Sequence, residues 1–400
     1  MLPNDSLVHT EQGLIPAREL QIENFVLTSS GDYDKIIAVN DSGHHKTFCI
    51  EHQNGKLTLP YNAKVAVLLD IDGRTRFSSP EEISAGDLLI FSTNTISPKT
   101  SPSLPSYCYA STSNKNVQPI TVPQFDSDLS WFFGLIHGDG CVEYDRNSKT
   151  YSVSVAFNTR FLGIEEKIMA QFNKFGLNAS FKKCEGDSYK VLRAYSKQFA
   201  EYMHRYKQPH KSIKIPSFVM QGTIDQKFAY ISGLFDADGT VTNNRLCIAT
   251  SIYPNFLNEV QCLLASCGIP AQIYARGIDK RFPKRNNVYD IFVTGQQLVD
   301  KTQDNMEQHS FKLRVDGRVK YRFDHSRYII PNTMLEDVPK KFKGKHGMSV
   351  QKYSQFKGEK IDFVPIKVEN VVENTEEICT SFITEKSEPF ISGGFVMSYS

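Results

Sequence analysis

The sequence predicts an α+β fold in which two similar αββαββα repeats stand in tandem between two stretches of all-β chain. Three observations carry that prediction. Between 126 and 320 the texture runs helix, strand, strand, helix, strand, strand, helix, and then repeats that order with a period of about 99 residues, from Asp139 to Asp238. The opening helix of each run ends on the same pattern, Gly138-Asp139-Gly140 and Ala237-Asp238-Gly239. The flanks, 1–95 and 361–400, set β-branched runs between Gly, Asn and Asp breakers.

Charge divides the chain in the same way. Residues 121–360 hold 35 Lys and Arg against 24 Asp and Glu, while the remainder holds 11 against 20, so a net charge of +2 hides a basic middle between acidic ends. Such a middle predicts a polyanionic partner, although charge also varies along chains that have none. A length of 400 residues allows two or three domains, and 40% apolar residues are enough for true cores. The longest apolar runs, VAVLL and FFGLI, are far short of a membrane span. The start, MLPNDSLVHTEQG, lacks the basic and apolar regions of a secretory signal. Eight scattered cysteines with no CxxC pair argue against a disulfide framework or a zinc site, and point to a reducing compartment.

Taken in order, 1–95 reads as short strands (GLIPARELQ, FVLTSSGD, DKIIAVND, TFCIEHQNGKLTL and KVAVLLDIDG), closed by EEISAGDLLIFS. Residues 96–120 are rich in Ser, Thr and Pro and predict a linker. Within 121–335 the two repeats occupy 126–214 and 225–320. The first opens with DSDLSWFFGLIHGDG, a helix with Asp126 or Ser127 as N-cap and Gly140 as its stop. CVEYD and TYSVSVAFNT follow as strands, then an amphipathic helix in FLGIEEKIMAQFNKFGL with Leu162, Ile164, Ile168, Met169 and Phe172 on one face. The strands ASFKKCE and SYKVLRAYS lead to the helix KQFAEYMHRYK. The second repeat follows the same order: QKFAYISGLFDADG, GTVTNN, RLCIATS, YPNFLNEVQCLLASCG, AQIYARGI, NVYDIFVTG and QQLVDKTQDNMEQ. Residues 336–360 form a basic, turn-rich connector, and 361–400 returns to strand texture.

The two opening helices carry the chemistry. Gly134 with Gly138, and Gly233 with Ala237, put small residues four apart on one helical face. Missing side chains there let two helix backbones approach closely. Each helix then ends in an aspartate, which its own dipole disfavours. If the helices pack side by side, Asp139 and Asp238 finish at one level, where two unpartnered carboxylates repel. A hard divalent cation such as Mg²⁺, which favours carboxylate and water oxygens, relieves that repulsion. Tightly packed core helices with C-terminal acids are the plainer alternative.

The paired motifs, FGLIHGDG and SGLFDADG, resemble those of the LAGLIDADG homing endonucleases, and the flanks resemble the Hint splicing domain of an intein. Together the resemblance covers nearly the whole chain. It implies an α+β endonuclease of two pseudo-symmetric αββαββα repeats with saddle-shaped sheets, inserted in an all-β Hint domain. His137 departs from the family's usual acid, whereas Asp139 stands where the metal-binding acid is expected. The resemblance implies a duplex DNA partner, Mg²⁺ bound at Asp139 and Asp238, and metal-assisted hydrolysis of one phosphodiester in each strand. It also implies an assisting lysine in each half. Lys312, in HSFK, matches in the second repeat; HKSIKIPSF in the first offers Lys214, with Lys211 as the alternative. The chain is expected to act as a monomer inside the cell, nuclear if the host is eukaryotic and otherwise cytoplasmic.

Affinity for DNA would come mostly from basic side chains on the sheets and loops. The candidates are Lys182, Lys183, Lys190 and Arg193 in the first repeat, and Arg276, Lys280, Arg281, Lys284 and Arg285 in the second. Outward strand residues would read bases in the major groove. Each cluster could equally be a solvated face. PKKFKGK, at 339–345, could touch DNA or serve as a nuclear address.

In the flanks, the residues that resemble splicing blocks lack splicing chemistry. The family's first nucleophile, a cysteine or serine, is replaced by Met1. In LTLPYNAKVAV, Pro60 and Ala63 take the places of a threonine and a histidine, although His44, His45 and His52 lie nearby. Near the end, Ser398 and Tyr399 replace a histidine and a cyclising asparagine, ahead of Ser400. The resemblance, with these substitutions, implies a homing endonuclease of intein origin that no longer self-splices. The alternatives are a protein-splicing intein, or a DNA- or RNA-binding protein of the same fold without cleavage.

Overall fold

The computed structural model describes all residues except 71–73, 96–97, 99–100, 108–119, 146–149, 183–187, 209–210, 243–244, 278–286, 320–327, 359–360 and 400. Strands from both ends of the chain join in one twelve-stranded sheet. Its longest pair is Tyr33–His52 against Phe363–Thr384, antiparallel from Ile36↔Thr384 to His52↔Val368. The sequence reading splits the first segment around Asn40-Asp41-Ser42-Gly43, and the second carries Asn374 near its middle. The pairing overrides both. Register shifts absorb the irregularity, among them one beside Gly43, whose φ of 74° suits the missing Cβ.

The two repeats form two four-stranded antiparallel sheets. The first runs Gly140–Asp145, Thr150–Asn158, Tyr189–Ala194, Ser180–Lys182, and the second runs Thr240–Thr242, Arg245–Ser251, Val288–Thr294, Gln272–Gly277. Chain order inside each sheet is the same. The helices are α1 (Ser127–Asp139), α2 (Ile164–Lys174), α3 (Lys197–His204), α4 (Ser217–Met220), α5 (Ile224–Asp238), α6 (Pro254–Ser266), α7 (Gln296–Met306), α8 (Phe311–Asp316) and α9 (Val350–Lys357). Asp126 caps α1 by accepting from the backbone N–H of Leu129 at 2.8 Å. A reciprocal cap of Thr223 and Gln226 opens α5.

Helix α2 departs from the expected span. It starts at Ile164, after Gly163 in the left-handed conformation, and leaves Leu162 outside the helix and 88% exposed. Ile164, Ile168 and Phe172 make the buried stripe. The described part of the expected linker is packed. Leu104 is buried, Tyr107 Oη donates to Glu201 at 2.6 Å, and the Ile120 N–H donates to Gln198 at 2.8 Å. Its few apolar residues find partners on the first repeat, which composition alone does not reveal.

The β framework and the repeats share cores. Leu14, Leu27 and Ile391 belong to the cluster built on α1 and α5, while Ala265 and Tyr328 belong to the framework cluster. The turn at Gly13 docks so closely on α4 that a Cβ there would overlap Gln221 Cα. At this junction Lys227 of α5 is fully buried and its amine has no hydrogen-bond partner; burial pulls its pKa down to about 8. His9, on the framework strand Leu7–Thr10, is buried with both ring nitrogens unpartnered; burial, then the Lys227 charge, lowers its pKa to about 3. The basic connector has a core of its own, formed by Ile330, Leu335, Val338, Met348 and Tyr353. Among the described residues, no helix is long and apolar enough to cross a membrane.

Candidate functional site

Helices α1 and α5 pack backbone to backbone. A Cβ on Gly134 would overlap the Tyr230 carbonyl, one on Gly233 would overlap the Trp131 carbonyl, and one on Gly138 would overlap the Ala237 Cβ. The Ser130 hydroxyl donates across the pair to the Gln226 carbonyl at 2.6 Å. Gly140 and Gly239, which end the helices, have φ of −80° and −71° and so do not adopt the left-handed turn that a terminal glycine suggests. They are glycines for space. A Cβ at Gly140 would run into Ile136, and one at Gly239 into the Phe235 ring.

This packing brings the ends of the two helices together. The Asp238 carboxylate lies 3.2 Å from where a Gly138 Cβ would stand, next to Asp139. Burial first, and then the charge of Asp139, raises the Asp238 pKa to about 6, with Lys207 and Lys312 opposing. Burial also raises Asp139, again opposed by Lys312 and Lys207. Asp139 is the more open of the two. A pocket of about 220 Å³ opens beside it, lined by Arg160, Tyr189 and Lys312 among others.

Two lysines flank the acids. Lys312 Nζ donates to the carbonyls of Ala237 at 2.8 Å and Gly239 at 3.0 Å. Lys207 Nζ donates to those of Ile136 and His137 at 2.8 Å and Gly138 at 3.0 Å. Burial lowers both pKa values, that of Lys207 to about 8, while the aspartates oppose the shift. Lys214 was the expected first-repeat lysine, and the structure corrects this. Lys214 is exposed, and its charge acts on Glu259; Lys211 is exposed as well. Lys207 lies three residues beyond α3, whereas Lys312 lies six beyond α7, so aligning HKSIK with HSFK misplaces the pair.

Asp236 escaped the sequence reading as a site residue. It is buried and accepts from Trp131 Nε1 at 2.8 Å, Ser310 Oγ at 2.6 Å, and the backbone N–H groups of Phe311 at 3.1 Å and Lys312 at 2.8 Å. It therefore ties α1 to the start of α8 and holds Lys312. Burial raises its pKa, and these hydrogen bonds oppose the rise. His137, at the matching place on α1, instead shares a 2.5 Å hydrogen bond between Nδ1 and Tyr230 Oη; burial lowers its pKa to about 3 and keeps it neutral.

Alternation along the strands sorts the basic candidates. Val142, Val153, Val155 and Leu192 face the helices, so Arg193, with Lys182 paired opposite Val191, lies on the open face. Arg193 pairs with Glu143 at 3.4 Å. Lys190 is turned the other way, a second correction. It shares the face of Leu192, pairs with Glu165 of α2 at 3.0 Å and covers the Phe181 ring. On the second sheet Arg276 grips the buried Asp290 at 2.9 and 2.8 Å, and Thr250 donates to the same carboxylate at 2.7 Å. Arg245, not singled out from the sequence, lies over the Phe292 ring. Lys183, Lys280, Arg281, Lys284 and Arg285 lie outside the described residues.

In the framework, Pro60 and Ala63 are buried. Met1 is half-buried, and burial lowers the pKa of its ammonium. Ser398 pairs with Lys64 across the sheet. Tyr399 accepts from Thr384 Oγ1 at 3.0 Å and packs on Phe382 and Phe390. His52 is buried against Phe395, and burial lowers its pKa to about 3. Ser400 is outside the described residues.

Residues 225–309 match the family model of a LAGLIDADG-like domain. Elongation factor 2 of Methanopyrus kandleri is 25% identical over 193 residues, 47% of this chain and 13% of that protein. A DNA polymerase of Thermococcus litoralis is 29% identical over 154 residues, 37% and 9% of the two chains. The NrdEB alpha subunit of ribonucleoside-diphosphate reductase from Bacillus subtilis is 25% identical over 170 residues, 38% and 15%. The chain thus spans a small part of the length of the curated relatives it matches. Among solved structures, a mesophilic variant of the homing endonuclease I-DmoI is 18% identical, covering 45% of this chain and 96% of that one, with a TM-score of 0.34. The homing endonuclease I-WcaI bound to its DNA recognition sequence is 15% identical, covering 48% and 87%, with a TM-score of 0.35.

Proposed function

We propose that the chain is a site-specific endonuclease that cuts both strands of duplex DNA with a divalent metal, carried in a Hint-like β framework that does not splice. One observation carries this reading. Two aspartates end a glycine-packed helix pair, each helix end is flanked by a partly buried lysine, and the Asp139 charge reaches Asp238 and raises its pKa. The matched LAGLIDADG-like segment, which contains Asp238, supports it. So do relatives of three different names, each sharing only 9–15% of its length, as an inserted module would.

The donor set suits Mg²⁺. Among the described residues no three His, Cys, Asp or Glu side chains gather as metal ligands, which disfavours an all-protein cage. Two carboxylates with water and substrate phosphate are what Mg²⁺ accepts. Bound there, the ion supplies Lewis-acid polarisation of the phosphate and a more acidic water. Asp139 and Asp238 would hold it. Lys207 and Lys312, fixed on helix-end carbonyls, would set positive charge beside the phosphate as its negative charge grows. Lys182, Arg193, Arg245 and Arg276 on the open faces would neutralise DNA phosphates. The two repeats would serve one strand each, within a single chain.

The deciding experiment incubates the protein with a randomised duplex library, in Mg²⁺ or in EDTA, and sequences the ends. Cleavage at one family of sites in Mg²⁺ alone supports the reading; binding without cleavage would leave a DNA-binding protein. A splicing element is the competing reading, favoured by an insert that interrupts one continuous β framework. Pro60 and Ala63 oppose it, since neither side chain can donate a proton. Expression between two reporter flanks would yield ligated flanks only from a splicing protein.

A further inference from the structure

We infer that residues 328–357 are a second DNA-binding element, an accessory module that grips the duplex backbone. This rests on the nuclease reading above and extends its footprint.

The segment is a folded unit. Ile329–Pro331 pairs with Gly347–Ser349, α9 follows, and Ile330, Leu335, Val338, Met348 and Tyr353 close a core of their own. It is anchored rather than tethered. Tyr328 Oη accepts from Asn54 Nδ2 at 3.0 Å, and α9 borders a cavity of about 510 Å³ shared with the start of α7. Its surface is basic. Six lysines stand against two acids in these 30 residues, while the whole chain nets only +2. Among the described residues, Lys340, Lys341, Lys343 and Lys345 form no ion pair, although acidic strands lie elsewhere in the molecule. Beside them, Phe342 and Phe356 are 46% and 39% exposed, with ring centroids 5.3 Å apart and planes tilted by 51°. Lys341 sits 5.0 Å from the Phe342 ring centre. Four like charges within six residues repel one another, and a polyanion laid across them removes that cost while releasing counterions. Exposed rings among lysines add an apolar contact that sugar and base surfaces can meet. Charge complementarity therefore selects duplex DNA as the occupant.

The test uses the full-length protein and a random-sequence duplex, with affinity measured across a salt series. A K340A/K341A/K343A/K345A variant should bind at least about tenfold more weakly near 0.1 M salt, and its log-affinity plot should be shallower by about two to four. The matching four-arginine variant should restore both, and F342A/F356A should lower affinity without changing the slope. A melting curve shared with the parent excludes misfolding, and the arginine variant keeps the test alive if the alanine form unfolds. Unchanged affinity and slope overturn the inference, as does loss of binding only to phosphatidylserine vesicles or only of self-association. The nuclease reading fails separately. If the parent never cuts but binds through these lysines, the module stands and the nuclease does not.

Discussion

Lys207 and Lys312 do the same structural task from unlike places in the chain: each lays its ammonium on the carbonyls that end one of the two central helices. The first is delivered by the turn after α3 and is held by three carbonyls. The second is delivered by the first turn of α8, whose backbone hangs on the buried Asp236. The two helix ends are thus charged alike but supported differently.

Lys207→Met should lower the cleavage rate by about 10²–10³ at saturating DNA, the scale of losing one fixed charge at a developing oxyanion. Lys214→Ala should leave the rate unchanged. Single-turnover cleavage of a selected target measures both, and the reverse pattern would restore Lys214.

Asp139→Asn and Asp238→Asn should each abolish cleavage and keep DNA binding, as should EDTA with the parent protein. A pH signature accompanies this. The metal-free Asp238 pKa is raised from 3.8 to about 6, so the folded state binds the proton more tightly than the unfolded one. That contribution to stability is complete below about 4 and is lost as pH rises through 6. Mg²⁺ competes with the same proton. Its gain in Tm should therefore grow as pH climbs through 6 and vanish in Asp238→Asn, as followed by calorimetry.

Asp236→Asn keeps the shape but turns a donor amide toward Trp131 Nε1, Ser310 Oγ or the backbone N–H groups it now accepts from. The cost should be about 2–4 kcal/mol by denaturant titration. With Lys312 loosened, kcat should fall while KM stays near its parent value. Loss of stability alone, with kcat unchanged at a temperature where the variant is folded, would show that Asp236 has no positioning role.

Gly134→Ala should cost at least about 2 kcal/mol, because its methyl group would stand inside the Tyr230 carbonyl and must part the helices. Parting them also separates Asp139 from Asp238. Cleavage should fall further than stability explains, and a variant with parent Tm and rate would refute the tight pairing.

Lys227→Met should stabilise the protein by on the order of 2 kcal/mol at pH 7. The parent amine is buried without a partner, with its pKa lowered from 10.5 to about 8. Its charged form therefore weakens the fold as pH falls through 8, and the parent regains that stability as pH rises toward 10.5. The Tm gap between variant and parent should close over that interval.

Much of this was readable from residue type and spacing. An N-cap at Asp126 or Ser127, the small residues four apart, and helices ending at Asp139 and Asp238 are local features, set by a few neighbouring side chains and a 3.6-residue period. Where a partner distant in sequence decides, the chain alone misled. Two strands of about 20 residues ran through their own breakers because each paired with the other. Leu162 fell outside α2 because Gly163 turned the chain first. Lys190 went to the helix side of its sheet by strand register, and Lys207 displaced Lys214 because a long flexible side chain is placed by the carbonyls it can reach. Asp236 looks like one more acid of a repeated motif until α8 folds over it and buries it among four donors. Local pattern sets helices, caps and faces; which side chains meet at the site is settled by packing across a hundred residues, where spacing along the chain carries no information.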